Sequence, residues 1–159
     1  MTAMHESPEF QSALRRIMEE KIPFCRLLGI KLRTFDPERP QIEFAMRDEL
    51  LGNFSKGMLH GGVISAVLDS MAGFAIFLKM TQLDPKPELI AQLHEFGRMS
   101  TIDLRIDYLQ PGRGKLFVAS ANVTRLGKRV ANVQMALHNE AGECIATGAA
   151  AFMLHSAKA

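Results

Sequence analysis

One long apolar segment, between about Gly62 and Met80, constrains the fold of this chain more than any other feature. Its apolar residues recur at helical spacing, and no other segment is both as long and as apolar. Most of the remaining apolar segments alternate with polar residues at every second position, which is typical of half-buried strands. The pattern therefore predicts an α+β fold, in which this one helix covers one face of a curved antiparallel sheet.

Six strand patterns surround the helix pattern. Two precede it, at 29–35 and 41–46, and four follow it, at 100–108, 115–126, 130–138 and 144–154. The gaps between the last four are short and contain turn residues such as the PGRG at 111–114. They predict an antiparallel meander. In the first strand of that group, Ile102, Leu104, Ile106 and Tyr108 alternate with polar residues and are expected on its buried face.

The chain of 159 residues predicts a single domain spanning 1–159. An amphipathic helix is expected within 1–22, ending before Pro23. Residues 81–98 are expected to be an insertion whose secondary structure the pattern defines least. Two early prolines precede a stretch that permits only a short helix.

Composition excludes several classes of function. A net charge of +2 gives no support for nucleic acid as a partner. Cys25 and Cys144 stand too far apart for a zinc-binding motif, and no metal site is predicted. The N-terminus lacks the apolar core of a signal peptide, and the apolar run within 63–78 is interrupted by polar residues and shorter than a membrane span. We therefore expect a cytoplasmic protein with no membrane partner.

Asp69 is the residue of the long helix that most needs an explanation. On a helical wheel it shares a face with small residues, and no Lys, Arg or His lies within four positions. Burying an unpaired carboxylate costs several kcal/mol, so such residues persist mainly where chemistry needs them. The alternative is that Asp69 lies at a solvated edge or meets a distant base such as Arg105. The small residues on its face are Gly62, Ser65, Ala66 and Gly73.

The helix is preceded by His60-Gly61-Gly62, which has two interpretations. In one, the glycines form a strand-to-helix turn, and His60 is a cap or a packed side chain. In the other, glycine lets a ligand approach the backbone, where free amides at a helix N-terminus favour an oxygen that carries negative charge.

The combination of these motifs resembles a known family. His60-Gly61-Gly62 followed by Asp69, then TIDLRIDYLQPG at 101–112 and RLGK at 125–128, is similar to hotdog-fold acyl-CoA thioesterases of the phenylacetic-acid-degradation type. The resemblance runs from about Gly29 to Leu154. It is strongest to a bacterial branch associated with medium- and long-chain acyl-CoA substrates. It implies a hotdog fold, hydrolysis of acyl-CoA to fatty acid and coenzyme A, and no cofactor besides the coenzyme A of the substrate.

The resemblance also implies roles for individual residues. The amide of Gly61 would bind the thioester carbonyl, and Asp69 would act as nucleophile or general base. Thr101 would help to hold the attacking water or the acid. His60 is expected to shape the turn rather than to act as a base.

One family position departs from the pattern. The family has an asparagine six residues before the motif histidine, where this chain has Phe54. Asn53 stands seven residues before it, and a one-residue insertion would restore the contact.

Helix geometry adds a constraint on the oligomeric state. Eight positions separate Gly61 from Asp69, which places their backbones about 12 Å apart along the axis. Both groups must come within about 3 Å of one carbonyl or of its attacking water. They can act together only from different subunits whose helices run antiparallel across a two-fold axis. We therefore expect a homodimer with shared sites, alone or within a dimer of dimers.

Two basic turns are candidates for binding the coenzyme A phosphates, with solvated turn charges as the alternative. One turn carries Arg113 and Lys115, and the other carries Arg125, Lys128 and Arg129. For the acyl chain, the candidates are Met58, Met71, Phe74 and Phe77, with 81–98 as a cover. The alternative is that these four side chains are ordinary core.

Two other functions fit the same fold. A non-catalytic acyl-CoA-binding module would share the phosphate contacts, but binding alone does not require an unpaired acid such as Asp69. A hotdog hydratase or dehydratase would use a catalytic histidine with an acid in a different motif, and no matching constellation occurs here.

Overall fold

The computed structural model describes residues 3–155, so the two ends of the predicted domain, 1–2 and 156–159, lie outside the described residues. The α-helices are α1 Pro8–Arg15, α2 Pro23–Leu28, α3 Gly61–Leu83 and α4 Leu89–Phe96. The strands are β1 Lys31–Thr34, β2 Gln41–Ala45, β3 Leu51–Asn53, β4 Met58–Leu59, β5 Met99–Tyr108, β6 Leu116–Leu126, β7 Val130–Asn139 and β8 Cys144–Leu154.

The core lies between α3 and one antiparallel sheet, as the sequence predicts. Six strands form the sheet in the order β1-β2-β6-β7-β8-β5, and β3 and β4 form a separate hairpin. The rings of Phe44 and Phe117, on neighbouring strands, stack with their centroids 5.2 Å apart. The ring of Phe77 in α3 stacks on that of Phe10 in α1 with a centroid distance of 5.9 Å. One continuous set of buried apolar side chains therefore joins the sheet, α3 and the N-terminal helix.

The helix α3 is longer than the sequence pattern indicates. It has 23 residues, and with a mean hydropathy of 1.8 in its most apolar window it is long and apolar enough to cross a membrane. The prediction that the apolar run is too short was therefore wrong, because the helix extends beyond 63–78 in both directions. More than half of that window is buried in the protein core.

The predicted meander is correct for β6, β7 and β8 but wrong for β5. β5 pairs with β8 rather than with β6, and β6 pairs along its other edge with β2. The segment 109–115 is therefore a crossover connection and not a hairpin turn. As a result, β5 forms one edge of the sheet and β1 forms the other.

This edge position changes the burial of β5. Ile102 is 54% exposed and Tyr108 is 55% exposed, although both were predicted on the buried face. A register shift between Thr101 and Asp103 interrupts the alternation of faces, and no strand covers the outer edge in the described chain. Leu104 and Ile106 remain packed against the core.

The N-terminal helix is more complex than predicted. α1 continues into a π-helical turn, Arg16–Lys21, and Pro23 then begins the short helix α2, which the sequence pattern did not indicate. Proline suits this first helical position because its fixed φ matches the helix, and because an N–H at this position would make no hydrogen bond within the helix. Gly29 ends α2 with a left-handed φ of 73°. The short helix expected within 81–98 is α4.

Candidate active site

One face of α3 remains open at the surface of the chain. Between Ile64 and Phe74, the residues that keep solvent exposure are Ser65, Ala66, Asp69, Ser70 and Gly73, and all others are buried. This is the face of small residues that the helical wheel predicts. Asp69 therefore lies on the part of the helix that another backbone could approach closely.

Asp69 is held by a hydroxyl and not by a base. Thr101 Oγ1 donates a hydrogen bond to Asp69 Oδ1 at 2.9 Å. Arg105, the base considered as a partner, instead pairs with Asp107 at 3.2 Å. Within residues 3–155 Asp69 forms no ion pair, so its carboxylate remains able to accept a proton or to attack a carbonyl.

The start of α3 leaves one backbone amide free. His60 is the N-cap, and its Nδ1 atom accepts a hydrogen bond from the amide of Gly62 at 2.8 Å. The next two amides, of Val63 and Ile64, donate to the His60 carbonyl. Of the four amides from Gly61 to Ile64, only that of Gly61 has no hydrogen-bond acceptor within the described residues. It is therefore the amide that is available to bind an oxyanion.

Close approach explains why glycines surround His60. A Cβ at position 62 would lie 2.9 Å from His60 Nδ1 and would displace the cap. A Cβ at Gly52, on β3, would lie 2.7 Å from the Cα of His60. The backbone on both sides of His60 therefore requires glycine. His60 is the N-cap of this turn, and its part in the reaction stays a prediction.

Tyr108 contacts Gly61, a contact that the sequence did not indicate. Its hydroxyl donates to the carbonyl of Gly61 at 3.0 Å, and its ring would lie 3.3 Å from a Cβ at that position. The side chain thus packs on the first turn of α3 from the end of β5. In the sequence, Tyr108 is noticeable only as part of the strand pattern within 101–112. No local pattern links it to Gly61, which lies 47 positions earlier in the chain.

Asn53 has a local structural role. Its Oδ1 atom accepts hydrogen bonds from Ser55 Oγ at 2.8 Å and from the Lys56 amide at 3.1 Å. These bonds cap the turn between β3 and β4. Within the described residues its side chain forms no hydrogen bond to Asp69 or Gly61, and Phe54 beside it is exposed.

The two basic turns lie at opposite ends of α3. Arg113 Nε donates to the Lys56 carbonyl at 3.3 Å, and Gly112 accepts from Leu59 at 2.9 Å, which places this turn beside the start of the helix. The carboxylate of Glu140 accepts from the Lys115 amide at 2.8 Å. This bond, with others to the backbone, lowers the pKa of Glu140 and holds the turn in place.

The second basic turn lies at the C-terminal end of the helix. Lys128 lines a cavity of about 550 Å³ together with Met80 and Leu83. Among the described residues, no carboxylate forms an ion pair with any cation of either turn. These cations are Arg113, Lys115, Arg125, Lys128 and Arg129.

A second cavity, of about 210 Å³, opens beside Asp69. Its walls come from residues 16–28, from α3, from the end of α4, from the start of β5 and from β8. The lining residues are Met18, Ile22, Phe24, Cys25, Asp69, Ser70, Gly73, Phe96, Met99 and Phe152. Met71, Phe74 and Phe77, three of the candidates for the acyl chain, are fully buried in the core and line none of this cavity. Phe77 packs on Phe10 of α1 and on Phe96 of α4, and Phe74 packs on Phe35 after β1.

The thiol of Cys25 lies in the wall of this cavity, 3.8 Å from Ser70 Oγ. Burial raises the pKa of Cys25, the hydrogen bond with Ser70 lowers it, and the charge of Asp69 raises it further. The net shift is upward, which favours the neutral thiol. Because the thiolate is the nucleophilic form, Cys25 is a poor candidate for the reacting group.

Comparison with known proteins connects this geometry to a family. The model of the Thioesterase superfamily matches residues 56–146. A medium/long-chain acyl-CoA thioesterase of Escherichia coli, YigI, is 39% identical over 136 residues, which cover 84% of this chain and 86% of that protein. The corresponding Salmonella typhimurium protein is 38% identical over the same shares.

Solved structures agree with the sequence matches. A Shewanella oneidensis protein described as related to the thioesterase superfamily superposes with a TM-score of 0.84 at 34% identity, covering 92% of this chain and 95% of its own. A Syntrophus aciditrophicus structure has a TM-score of 0.78 at 42% identity, with coverage of 90% and 94%. These matches confirm the hotdog fold, and the matched region contains both Gly61 and Asp69. The chain belongs to the thioesterase superfamily.

Proposed function

We infer that this chain is an acyl-CoA thioesterase with two active sites, each built from both subunits of a homodimer. The observation that carries this inference is the free amide of Gly61 on the same helix as the Thr101-bound carboxylate of Asp69. The curated relative at 39% identity is named an acyl-CoA thioesterase, which supports the same reaction.

In the proposed reaction, the Gly61 amide of one subunit donates to the thioester carbonyl oxygen. The N-terminal dipole of α3 stabilises the negative charge that develops on this oxygen. Asp69 of the other subunit accepts a proton from water, whose oxygen attacks the carbonyl carbon, or attacks that carbon itself to form an anhydride that water then opens. When water attacks, the C–S bond of the tetrahedral adduct breaks and the leaving thiolate takes the proton held by Asp69, which gives coenzyme A and the fatty acid. When Asp69 attacks, the C–S bond breaks as the anhydride forms, the thiolate takes a proton from solvent, and water then opens the anhydride to release the fatty acid and restore the carboxylate.

The open face of α3 supports the dimer. If Gly61 of the partner lies opposite Asp69 in an antiparallel helix pair, Ser65 lies at the two-fold axis. Small residues on that face permit the close approach that this pairing needs. The free edge of β5, with exposed Ile102 and Tyr108, offers a second strip of apolar surface for the same contact.

The same pairing brings the two basic turns together. The turn at 111–115 lies beside residues 56–59, so the partner's copy would lie over the half of α3 beyond Asp69. The 125–129 turn of the first subunit lies at that end of the helix. Phosphates of coenzyme A would thus find cations from both subunits, and the proposal needs no cofactor beyond the substrate.

The test uses two defects on different subunits. Asp69→Ala removes the carboxylate. Gly61→Pro removes the amide hydrogen at the first helical position, where proline is well tolerated, and the extended His60 before it suits proline. A Cβ at this position would lie 3.3 Å from the Tyr108 ring, so Gly61→Ala, which adds the same Cβ but keeps the amide hydrogen, is the matched control. Each variant is purified alone, the two are mixed under conditions that exchange subunits, and thiol release from a panel of acyl-CoA thioesters is measured.

Each homodimer should lose nearly all activity, while mixed dimers carry one intact site. Statistical mixing should therefore restore about a quarter of wild-type activity. No restoration would place both groups in one subunit and overturn the shared site. A wild-type protein that binds acyl-CoA of every length but releases no thiol would instead be a binding module.

A further inference from the structure

We propose that the cavity beside Asp69 is the acyl-chain site and that the N-terminal helical segment, residues 16–28, sets the length of chain that it accepts. We refer to this space of about 210 Å³ as the acyl cavity. The proposal rests on the proposed function, because it assigns the place of the substrate's alkyl end relative to Asp69.

The chemistry of the acyl cavity fits an alkyl chain with its reacting end at Asp69. Asp69 is the only charged residue among those that line it. Ser70 donates its hydroxyl proton to the Ala66 carbonyl at 3.0 Å, and burial favours the neutral thiol at Cys25. The remaining lining is aliphatic, aromatic or thioether, so no other group competes for a polar ligand.

A neighbouring apolar cavity, of about 240 Å³, is a weaker candidate. It is lined by residues around His60 and Leu50 and shares Phe24 with the acyl cavity, but it does not reach Asp69. A thioester whose carbonyl is attacked at Asp69 must direct its chain from that point. The acyl cavity meets this condition within a single subunit.

The outer wall is formed by an unusual piece of helix. The amide of Ile22 donates to the Ile17 carbonyl at 3.0 Å, the five-residue spacing of a π-helical turn, and Met18 and Ile22 of this segment line the cavity. Such π-turns occur often at functional sites. Pro23 then starts α2, from which Phe24 and Cys25 complete the wall.

These wall residues lie outside the part of the chain that is common to the superfamily. The family model matches 56–146, which includes Asp69 and Gly73 but none of 16–28. The reacting groups therefore belong to the shared domain, whereas the wall opposite them belongs to a segment in front of it. This division makes the segment 16–28 suited to select chain length without altering the chemistry.

Gly73 allows the cavity to be filled from the catalytic helix. It lies one turn beyond Asp69, and a Cβ there would stand 3.6 Å from Phe152 Cε1, an ordinary contact. Gly73→Ala therefore adds one methyl group to the cavity without a clash, and alanine also favours the helix. From the opposite wall, Ile22→Phe fills the space. Ile17→Phe is the matched control, because Ile17 is equally half-buried on the same turn but lines no part of the cavity.

The experiment measures kcat/KM of the wild type and the three variants on acyl-CoA thioesters from acetyl to long chains, with sedimentation to verify the oligomer. Each methylene that no longer fits should lower kcat/KM about fourfold. We expect the ratio of kcat/KM on the longest accepted chain to kcat/KM on acetyl-CoA to fall about fourfold in Gly73→Ala, which adds one methyl group, and tenfold or more in Ile22→Phe. In Ile17→Phe this ratio should equal that of the wild type.

A chain-length profile that is unchanged in both filling variants would overturn the proposal while the thioesterase activity stands. The same shift in Ile17→Phe as in Ile22→Phe would also overturn it, because the effect would then come from the helix and not from the cavity. Absence of thiol release by the wild type on every substrate would instead refute the proposed function.

Discussion

The hydroxyl of Thr101 donates a hydrogen bond to the carboxylate of Asp69 at 2.9 Å, across 32 positions of the chain. Thr101, near the start of β5, thus orients the carboxylate of Asp69 on α3. A carboxylate that keeps one fixed hydrogen bond retains a second oxygen for water or for a carbonyl carbon.

Removing the Thr101 hydroxyl should slow the chemical step. A hydrogen bond to a charged group contributes about 1.5 to 3 kcal/mol, so Thr101→Val should lower kcat about 10- to 100-fold with little change in KM. Thr101→Ser should keep most of the rate. The matched control is Ser100→Ala on the same strand, since Ser100 bonds to His155 rather than to Asp69. An equal loss in the control would contradict the role of Thr101.

Tyr108 should position the Gly61 turn rather than react. Its hydroxyl bond to the Gly61 carbonyl is neutral and is worth about 1 kcal/mol, so Tyr108→Phe should lower kcat severalfold. The loss should be the same for every acyl length, because the acyl cavity is not involved. A loss that appears only with long chains would assign Tyr108 to the acyl site instead. Steady-state kinetics across the substrate panel distinguishes the two results.

His60 should matter for stability and not for proton transfer. Asparagine is also a good N-cap, so His60→Asn should retain both the melting temperature and most of the activity. His60→Ala should lose about 1 kcal/mol of folding free energy, a decrease in Tm of about 2 to 4 °C for a chain of this size. Calorimetry and thiol-release assays measure the two effects. An inactive but fully stable His60→Asn protein would show that His60 acts as a base.

Ser65 lies where the two helices should cross, so a charge there should separate the subunits. Ser65→Arg places two like charges against each other across the two-fold axis and removes the close approach of small residues. We expect a folded monomer by sedimentation and loss of nearly all thioesterase activity. Ser12→Arg, at an exposed serine of α1, serves as the control. An active monomer of the Ser65 variant would rule out the shared active site.

The Cys25 thiol should respond to the charge of Asp69. Burial raises its pKa most, so its alkylation should stay slow until the pH is above the range of an ordinary thiol. In Asp69→Asn the nearby negative charge is absent, the pKa falls, and alkylation at a given pH becomes faster. A raised folded-state pKa also means that stability declines as the pH rises through and beyond the ordinary thiol range.

This prediction is tested in a Cys144→Ser background, so that Cys25 is the single remaining thiol. Rates of alkylation by a small haloacetamide are followed against pH by mass spectrometry. Equal rates with and without the Asp69 charge would show that burial alone controls the thiol.

Much of the fold is encoded in local patterns. The 3.6-residue period of α3 and the two-residue period of the strands are visible in the sequence because each reports which side chains must leave water. Strand β8 has the bounds that its pattern predicts, and β6 and β7 differ from theirs by one residue. The face that Asp69 shares with small residues is also correct, since it follows from helix geometry alone.

Contacts between distant segments could not be derived in this way. Strand alternation does not say which strands are neighbours, so the pairing of β5 with β8 rather than with β6 was missed. The exposure of Ile102 and Tyr108 follows from that pairing and from the register shift beside Thr101. For Met71, Phe74 and Phe77 the structure shows the alternative of ordinary core, which the sequence left open because helical spacing cannot tell a core side chain from one beside a cavity.

The sequence by itself determined one long apolar helix beneath strands, an acid on its small-residue face, and glycines at its start that lie eight or so positions from that acid on the same helix. Each of these depends on spacing along one element, which backbone geometry converts directly into position. Only the tertiary structure decided that Thr101 holds Asp69, that Tyr108 packs on Gly61, and that the segment 16–28 walls the acyl cavity. Those relationships depend on how elements pack across the core, where the free energy is shared among many side chains and no local pattern specifies the partner.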